Sequence, residues 1–313
     1  MAAPPEPEPD RHRPMFAVAY RILGSVHDAE DAVQEAEVRW HRLPQQAREA
    51  ILNPDAWMTT VVSRICLDQL TSARVRRERY LGVWLPEPVL GRVDRPGVGT
   101  DPAEVAELAE SVSMAMLVVM EQLSPAERVA FVLHDLFGVP FDEVAETLQR
   151  TPAAARQLAT SARRHLRGQA RYDCAGPDRD RVVEAFSRAS TEGDLQGLLD
   201  VLGPEVVLRS DTGGQVSAAT RPVVGADRVA RFLLGILGQR SPSWVAEYGQ
   251  EPAVISIGLV NGQNGLVVHL ADRLAAVVAL GVAAGRIETI DLVANPAKLV
   301  TEDHRGDHGQ PGD

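Results

Sequence analysis

The chain has 313 residues, 45% of them hydrophobic and 24% charged, with a formal net charge of -11. That length gives room for two or three domains with separate cores, and the composition is that of globular protein. No apolar run long enough for a membrane span and no signal-peptide pattern are visible, so membrane and secreted classes are set aside and a cytoplasmic protein is expected.

Residues 1–13, opening M-A-A-P-P-E-P-E-P-D, form an acidic proline-rich tail that lacks the apolar content to pack. Residues 14–80 are helical by periodicity. Phe16, Ala17, Tyr20, Ile22 and Leu23 give an apolar face that stops at Gly24-Ser25. Ser25 caps a second helix, Val26 to Arg42, containing D-A-E-D-A-V-Q-E-A. Its apolar positions Ala29, Val33, Ala36, Val38 and Trp40 alternate with Asp28, Glu30, Asp31, Gln34, Glu35 and Glu37. Acids in its first turns suit the positive helix end, so charge alone reads as a surface helix. A third helix starts at Asn53-Pro54, turns Trp57, Val61, Val62, Ile65 and Leu70 inward, and ends in the basic run S-A-R-V-R-R-E-R. Trp57 alone reads as core, yet an aromatic beside a basic helix can also stack on unpaired bases. Cys66 on this helix and Cys174 have no His or Cys cluster nearby and read as structural thiols.

Residues 81–103 are rich in proline and glycine and read as an exposed linker, which carries W-L-P-E-P at Trp84–Pro88. A tryptophan in a stiff polar linker needs a docking surface, since leaving it in water forfeits roughly 2–3 kcal/mol of burial. Residues 104–171 are helical again. Val144, Ala145 and Leu148 give one short helix an apolar stripe, and Thr151-Pro152 starts another. On the latter Ala155, Leu158, Ala159, Ala162 and Leu166 face inward, leaving Arg156, Gln157, Thr160, Arg163, Arg164 and Arg167 outside. Six arginines and no carboxylate lie between Arg150 and Arg171, inside a chain that is acidic overall. Local positive charge of this kind suits phosphate, and the pair reads as a DNA-binding helix-turn-helix.

Residues 172–179 form a second linker. Beyond it, Asp180 to Arg188 and Thr191 to Val201 read as helices around Gly193-Asp194. V-V-L-R-S-D, V-I-S-I-G-L-V, L-V-V-H-L, L-A-A-V-V-A-L-G-V and R-I-E-T-I-D-L-V-A then read as strands. Helices followed by strands with Gly-rich turns imply an α+β domain over residues 180–300, with a terminal tail at 301–313.

R-I-L-G-S with D-A-E-D-A-V-Q-E-A, then N-P-D-A-W-M-T-T-V-V-S-R-I-C-L-D-Q-L, then L-S-P-A-E-R-V-A-F-V-L-H-D with the helix-turn-helix, together resemble an extracytoplasmic-function sigma factor. The resemblance implies region 2 at 14–80 and region 4 at 104–171, both all-α. By that resemblance Asp28, Glu30, Asp31, Val33, Gln34, Glu35 and Arg39 would bind the β′ coiled coil of core RNA polymerase, with the β flap a second partner surface. Trp57, Arg64, Asp68, Arg74, Arg76 and Arg77 would open and read the -10 element. Thr151, Arg156, Gln157, Thr160, Arg163, Arg164 and Arg167 would serve the -35 element. Residues near the N-terminus of the recognition helix would reach base edges, and Arg163, Arg164 and Arg167 phosphates.

The remaining residues resemble the SnoaL-like, nuclear-transport-factor-like cone. Three motifs, W-L-P-E-P (Trp84, Leu85, Pro86, Glu87, Pro88), D-T-G-G-Q at Asp211–Gln215 and N-P-A-K-L at Asn295–Leu299, look like SigJ-like sigma factors with a fused domain of that kind. Against the usual D-G-G-G-K and N-P-D-K-L, Thr212, Gln215 and Ala297 depart. The implication is control in cis, with no separate anti-sigma protein strictly required and no cofactor or metal. Trp84, Leu85, Pro86, Glu87, Pro88, Asp211, Gly213, Gly214, Asn295, Pro296 and Lys298 are the expected contact residues, with Asp211 offered to an arginine of the run at 74–79. The extension is expected to cover the DNA-reading surfaces, so that the free chain binds DNA poorly. Two other readings stay open. A catalytic cone would draw on Asp211, His269, Asp272, Asp291 and Tyr248, and period 2 alone leaves the facing of His269 undecided. A ligand-responsive repressor would explain the helix-turn-helix but not the acidic helix or the first basic patch.

Overall fold

The computed structural model describes residues 12–77, 80, 82–91, 113–166, 177–216, 218–238, 245, 253–270 and 273–299, apart from the side chains of residues 73–77, 177 and 238. Two compact units emerge, one of residues 1–76 with 120–167, the other of residues 77–119 with 168–313.

The first unit is all helix. Helices α1 (His12–Leu23), α2 (Val26–Arg42), α3 (Gln45–Glu49) and α4 (Pro54–Arg77) make its first half. The caps read from sequence are in place: Asp28 N–H donates to Ser25 Oγ at 3.2 Å and Ala56 N–H to Asn53 Oδ1 at 3.1 Å. Ala29, Ala32, Val33, Ala36 and Trp40 are buried at helical spacing on α2. Val38, an apolar position of the same helix, lies off that stripe and is 46% exposed.

After α5 (Met114–Met120), which crosses the division between the units, come α6 (Pro125–Phe131), a π-helical turn (Val132–Leu136), α7 (Phe141–Leu148) and α8 (Pro152–Leu166). A Ser124/Glu127 capping box starts α6. Gln149 in the left-handed region, at φ 53°, turns the chain from α7 into α8. Within this unit the two halves touch. Arg128, only 3% exposed, donates from Nη1 to the Ile22 carbonyl at 2.8 Å, and the Arg21 guanidinium lies 4.9 Å from the Phe137 ring centre. Ile22 belongs to the last turn of α1, whose carbonyls have no partner within the helix.

The second unit is the α+β domain with part of the linker. Helices α9 (Pro177–Glu192), α10 (Leu195–Val201) and α11 (Ala226–Gly238) pack on a six-stranded mixed sheet, the helix-wrapped sheet expected of the SnoaL-like cone. Its strands are β1 (Leu202–Asp211), β2 (Val223–Val224), β3 (Ala253–Val260), β4 (Gln263–Leu270), β5 (Arg273–Ala283) and β6 (Arg286–Val293). Their order is β2-β1-β6-β5-β4-β3, with β1 parallel to β6 and the other pairs antiparallel. All five strands read from sequence are present. The first helix starts at Pro177 rather than Asp180, and β2 and α11 were not foreseen.

The pleat sorts side chains between two faces. Val206 and Leu208, Leu266 and Leu270, Val278 and Leu280, Ile290 and Leu292 join Val183, Phe186, Leu198, Val229 and Leu233 of the helices in one apolar core. Arg209, Asp211, Ala279, Thr289 and Asp291 alternate with these and point to the opposite face.

Candidate functional site: a carboxylate clasp on the linker

Asp211 ends β1 on that second face, with its side chain fully buried. Oδ1 accepts the Tyr80 hydroxyl at 2.5 Å and the Gly213 N–H at 3.1 Å. Oδ2 accepts the Leu85 N–H at 2.9 Å and Lys298 Nζ at 2.7 Å. Lys298 Nζ donates also to the Leu85 carbonyl at 2.5 Å, and lies 4.0 Å from the centre of the Trp84 ring and 5.5 Å from that of Tyr80. Asn295 joins the group, donating from Nδ2 to the Tyr80 hydroxyl oxygen Oη at 2.9 Å while its Oδ1 caps the Pro296–Lys298 turn through Ala297 N–H. Burial and the neighbouring carboxylate push the Tyr80 hydroxyl well above its ordinary pKa, so it stays a donor.

Three motifs far apart in the chain, at 84–88, 211–215 and 295–299, thus meet around one carboxylate. Gly213 permits it: its φ is +60°, and a Cβ there would come within 2.7 Å of Asn295 Oδ1. Gly214 follows in the same exposed turn at φ 75°. Tyr80, Leu85 and Lys298 are the described partners of Asp211, while the side chains of the arginine run at 74–79 expected to pair with it lie outside the described residues; Tyr80 stands outside W-L-P-E-P and was not among the expected residues. Leu85 is 1% exposed, and Pro86 is buried beside it while Glu87 and Pro88 are half-buried.

The linker continues along the domain. Val89 N–H donates to Asn261 Oδ1, Asn261 N–H to the Val89 carbonyl, and Gly91 N–H to the Leu259 carbonyl at 2.9 Å, forming a bridge at the β3–β4 turn. A Cβ on Gly91 would meet Leu259 Cβ at 2.9 Å, so the backbone approach needs glycine.

Among the described residues, Asp211, His269 and Asp291 do not share one pocket. Asp291 is 1% exposed and bound by Arg209 Nε at 2.7 Å; burial raises its pKa against that pairing. Val268 packs on the apolar core and Leu270 is part of it, so the alternate residue His269 faces away from the helices, opposite exposed Val254. A polar cleft with room for about one water touches Asp291, Arg179, Asn264, Met114 and Ala115. Asp272 and Tyr248 lie outside the described residues. Among the described residues no group of three or more His, Cys, Asp or Glu is placed to hold a metal ion.

In the helical unit Asp28 and Glu30 are half-exposed and Asp31, Gln34, Glu35 and Arg39 exposed on one side of α2. Val33 is fully buried, which corrects its place on the exposed polymerase-binding surface. On α4, Trp57 is half-buried and tilted on Trp40 with ring centres 5.3 Å apart, Asp68 is exposed, and Arg64 donates to the Glu146 carbonyl at 2.9 Å. The side chains of Arg74, Arg76 and Arg77, and the whole of Arg167, lie outside the described residues. On α8 Arg156, Gln157, Thr160 and Arg164 are exposed, with exposed Thr151 capping the helix through Ala154 N–H. Arg163 is held by Asp135 at 2.6 Å, and the Arg156 guanidinium lies 5.4 Å from the Phe141 ring centre.

Residues 10–76 match the Sigma-70 region 2 family and residues 113–166 the Sigma-70, region 4 family. The chain is 40% identical to the ECF RNA polymerase sigma factor SigJ of Mycobacterium tuberculosis over 95% of its own length and 93% of that protein. It is 35% identical to the probable ECF sigma factor SigI of the same species, covering 90% of each. The crystal structure of M. tuberculosis SigJ superposes with a TM-score of 0.71 at 37% identity, over 92% of this chain and 95% of that one. With both sigma regions in order and an extension matched along its length, the chain belongs to the extracytoplasmic-function sigma factors, alternative sigma factors that direct transcription by RNA polymerase from promoter DNA.

Proposed function

We propose that this sigma factor is controlled in cis, through the grip of its C-terminal domain on the linker between regions 2 and 4. The observation that carries this reading is the convergence of Tyr80, Trp84, Leu85, Asn295 and Lys298 on buried Asp211. A buried carboxylate is stable only when its lone pairs are matched, so the linker must arrive in one register to supply two of the donors. Holding Tyr80–Gly91 on the domain shortens the free tether joining the two DNA-reading regions.

That tether matters because the promoter elements are far apart. Centres about 25 base pairs apart lie roughly 85 Å from each other along B-DNA at about 3.4 Å per pair. Regions joined through Arg128 and Ile22 cannot meet both elements at once, so promoter engagement requires that contact to part. By resemblance, Asp28, Glu30, Asp31, Gln34, Glu35 and Arg39 bind the β′ coiled coil and region 4 the β flap. Arg64, Asp68 and the arginines at the end of α4 serve the -10 element, and the exposed face of α8 the -35 element. No separate anti-sigma protein is needed for this control, and it operates in the cytoplasm.

The extension acts as a regulatory domain, not as an enzyme. The described helix-packed core is apolar, while Asp211 and Asp291 are tied into hydrogen-bonded pairs on the other face. Run-off transcription with purified core polymerase tests the whole reading. Trp84→Ala and Asp211→Ala should each change promoter-specific output several-fold, in the same direction, with both units still folded. Parental output from both folded variants would sink it.

A further inference from the structure

Of the chain's 32 lysines and arginines, 31 are arginine. The exception, Lys298, is the cation of the Asp211 site, where its side chain is 8% exposed. The two side chains are not equivalent: an ammonium is a compact point charge with three donors that radiate, a guanidinium a longer planar fork. Nζ reaches the Leu85 carbonyl at 2.5 Å and Asp211 Oδ2 at 2.7 Å while lying 4.0 Å from the Trp84 ring centre. A flat, forked group one bond longer cannot keep those three distances together without moving the linker. In a chain that otherwise uses arginine throughout, this position calls for an amine.

We propose that Lys298 is an acyl-modification site and that acylation of its Nζ releases the linker. The modifying reagent is an acyl thioester. The ammonium gives one proton to water, the neutral amine attacks the acyl carbon, an amide N–C bond forms as the C–S bond breaks, and the nitrogen's second proton passes to the departing sulfur, which leaves as the thiol. The product amide carries no charge and a single N–H. It therefore loses the attraction to the Trp84 and Tyr80 rings and cannot serve Asp211 and Leu85 together. Asp211 is left as a buried carboxylate without a counter-charge, which disfavours the docked state. Because the docked amine is buried, reagent reaches it when the linker is off, and the acyl group then prevents return.

Since Lys298 is the chain's one lysine, N-hydroxysuccinimidyl acetate on the full-length protein gives a single side-chain amide, located by peptide mass mapping. Its reaction at Lys298 should be at least tenfold faster in Trp84→Ala than in the parent. Hydrogen exchange then reads docking at the amides of Leu85, Val89 and Gly91, which donate to Asp211, Asn261 and Leu259. Acetylation, Lys298→Gln and Lys298→Arg should each speed exchange there at least tenfold, with parental protection at Val277–Leu280 of the core sheet. Parental exchange at the linker amides after acetylation overturns the proposal, as does loss of protection in the core sheet, which would make Lys298 a structural pillar. Parental exchange in Lys298→Arg overturns the requirement for an amine. The transcriptional consequence rests on control in cis: linker release with unchanged run-off transcription keeps the latch and fails that reading instead.

Discussion

At the scale of single residues, the energetic weight lies on Asp211 and its partners. Removing one member of a buried ion pair typically costs about 3–5 kcal/mol because the other is left without its counter-charge. Asp211→Ala should therefore lower the denaturant midpoint of the C-terminal unit far more than a surface substitution does. Gly213→Ala should destabilise the same unit, since the left-handed backbone alone costs an L-residue roughly 1–2 kcal/mol and the new Cβ would strike Asn295. Equal midpoints for Gly213→Ala and parent would mean the turn relaxes freely. Cys66, buried on α4, has its thiol pushed well above the ordinary range, chiefly by burial. It should resist iodoacetamide at neutral pH in the folded chain and react only on unfolding, which peptide mapping will read.

At the scale of elements, α8 and α6 make separable demands. Arg156→Ala or Gln157→Ala should weaken -35 binding by roughly 1–3 kcal/mol each where the side chain reads a base, with little effect on random DNA. Arg164→Ala should lower affinity on all sequences alike and flatten the salt dependence. Equal losses for Arg156→Ala on specific and random duplexes would move that residue to the phosphate group. The capping box on α6 predicts a cost of about 1 kcal/mol for Ser124→Ala. Burial acts to raise the pKa of Glu127, but hydrogen bonds from Ser161 and Ser124 and the nearby His165 outweigh it and hold the carboxyl low. A depressed folded pKa gives stability that is present above the unfolded value, about 4.3, and lost as pH falls through the folded one. Thermal melts of region 4 should show that acid-side loss, reduced in Glu127→Gln.

At the scale of the molecule, the decisive question is how regions 2 and 4 are released from each other. Arg128 is buried against the end of α1 and is also paired with Glu121. Arg128→Met keeps the apolar stem but removes the donor to the Ile22 carbonyl, so it should loosen that contact and raise binding to a promoter duplex by the free chain. A gel-shift series at fixed salt measures this, and unchanged affinity in the folded variant would show that the Ile22 contact does not limit opening.

The sequence by itself determined the elements and their order, because caps, apolar stripes and strand alternation are local. Ser25, Asn53 and Thr151 cap the helices that their side chains announce, and the strand runs become strands. It also displayed W-L-P-E-P, D-T-G-G-Q and N-P-A-K-L, the three motifs that carry the family resemblance. Tertiary structure decided how those motifs meet: Asp211 binds Lys298 and Tyr80, a pairing across 87 and 131 residues that no spacing rule encodes. On α2 it buried Val33, which the resemblance had offered to the polymerase, and left Val38, opposite the buried stripe, on the surface. And it set the facing of His269 and Asp291, because a pleated strand alternates with the same period in either register, and only packed helices tell its two sides apart.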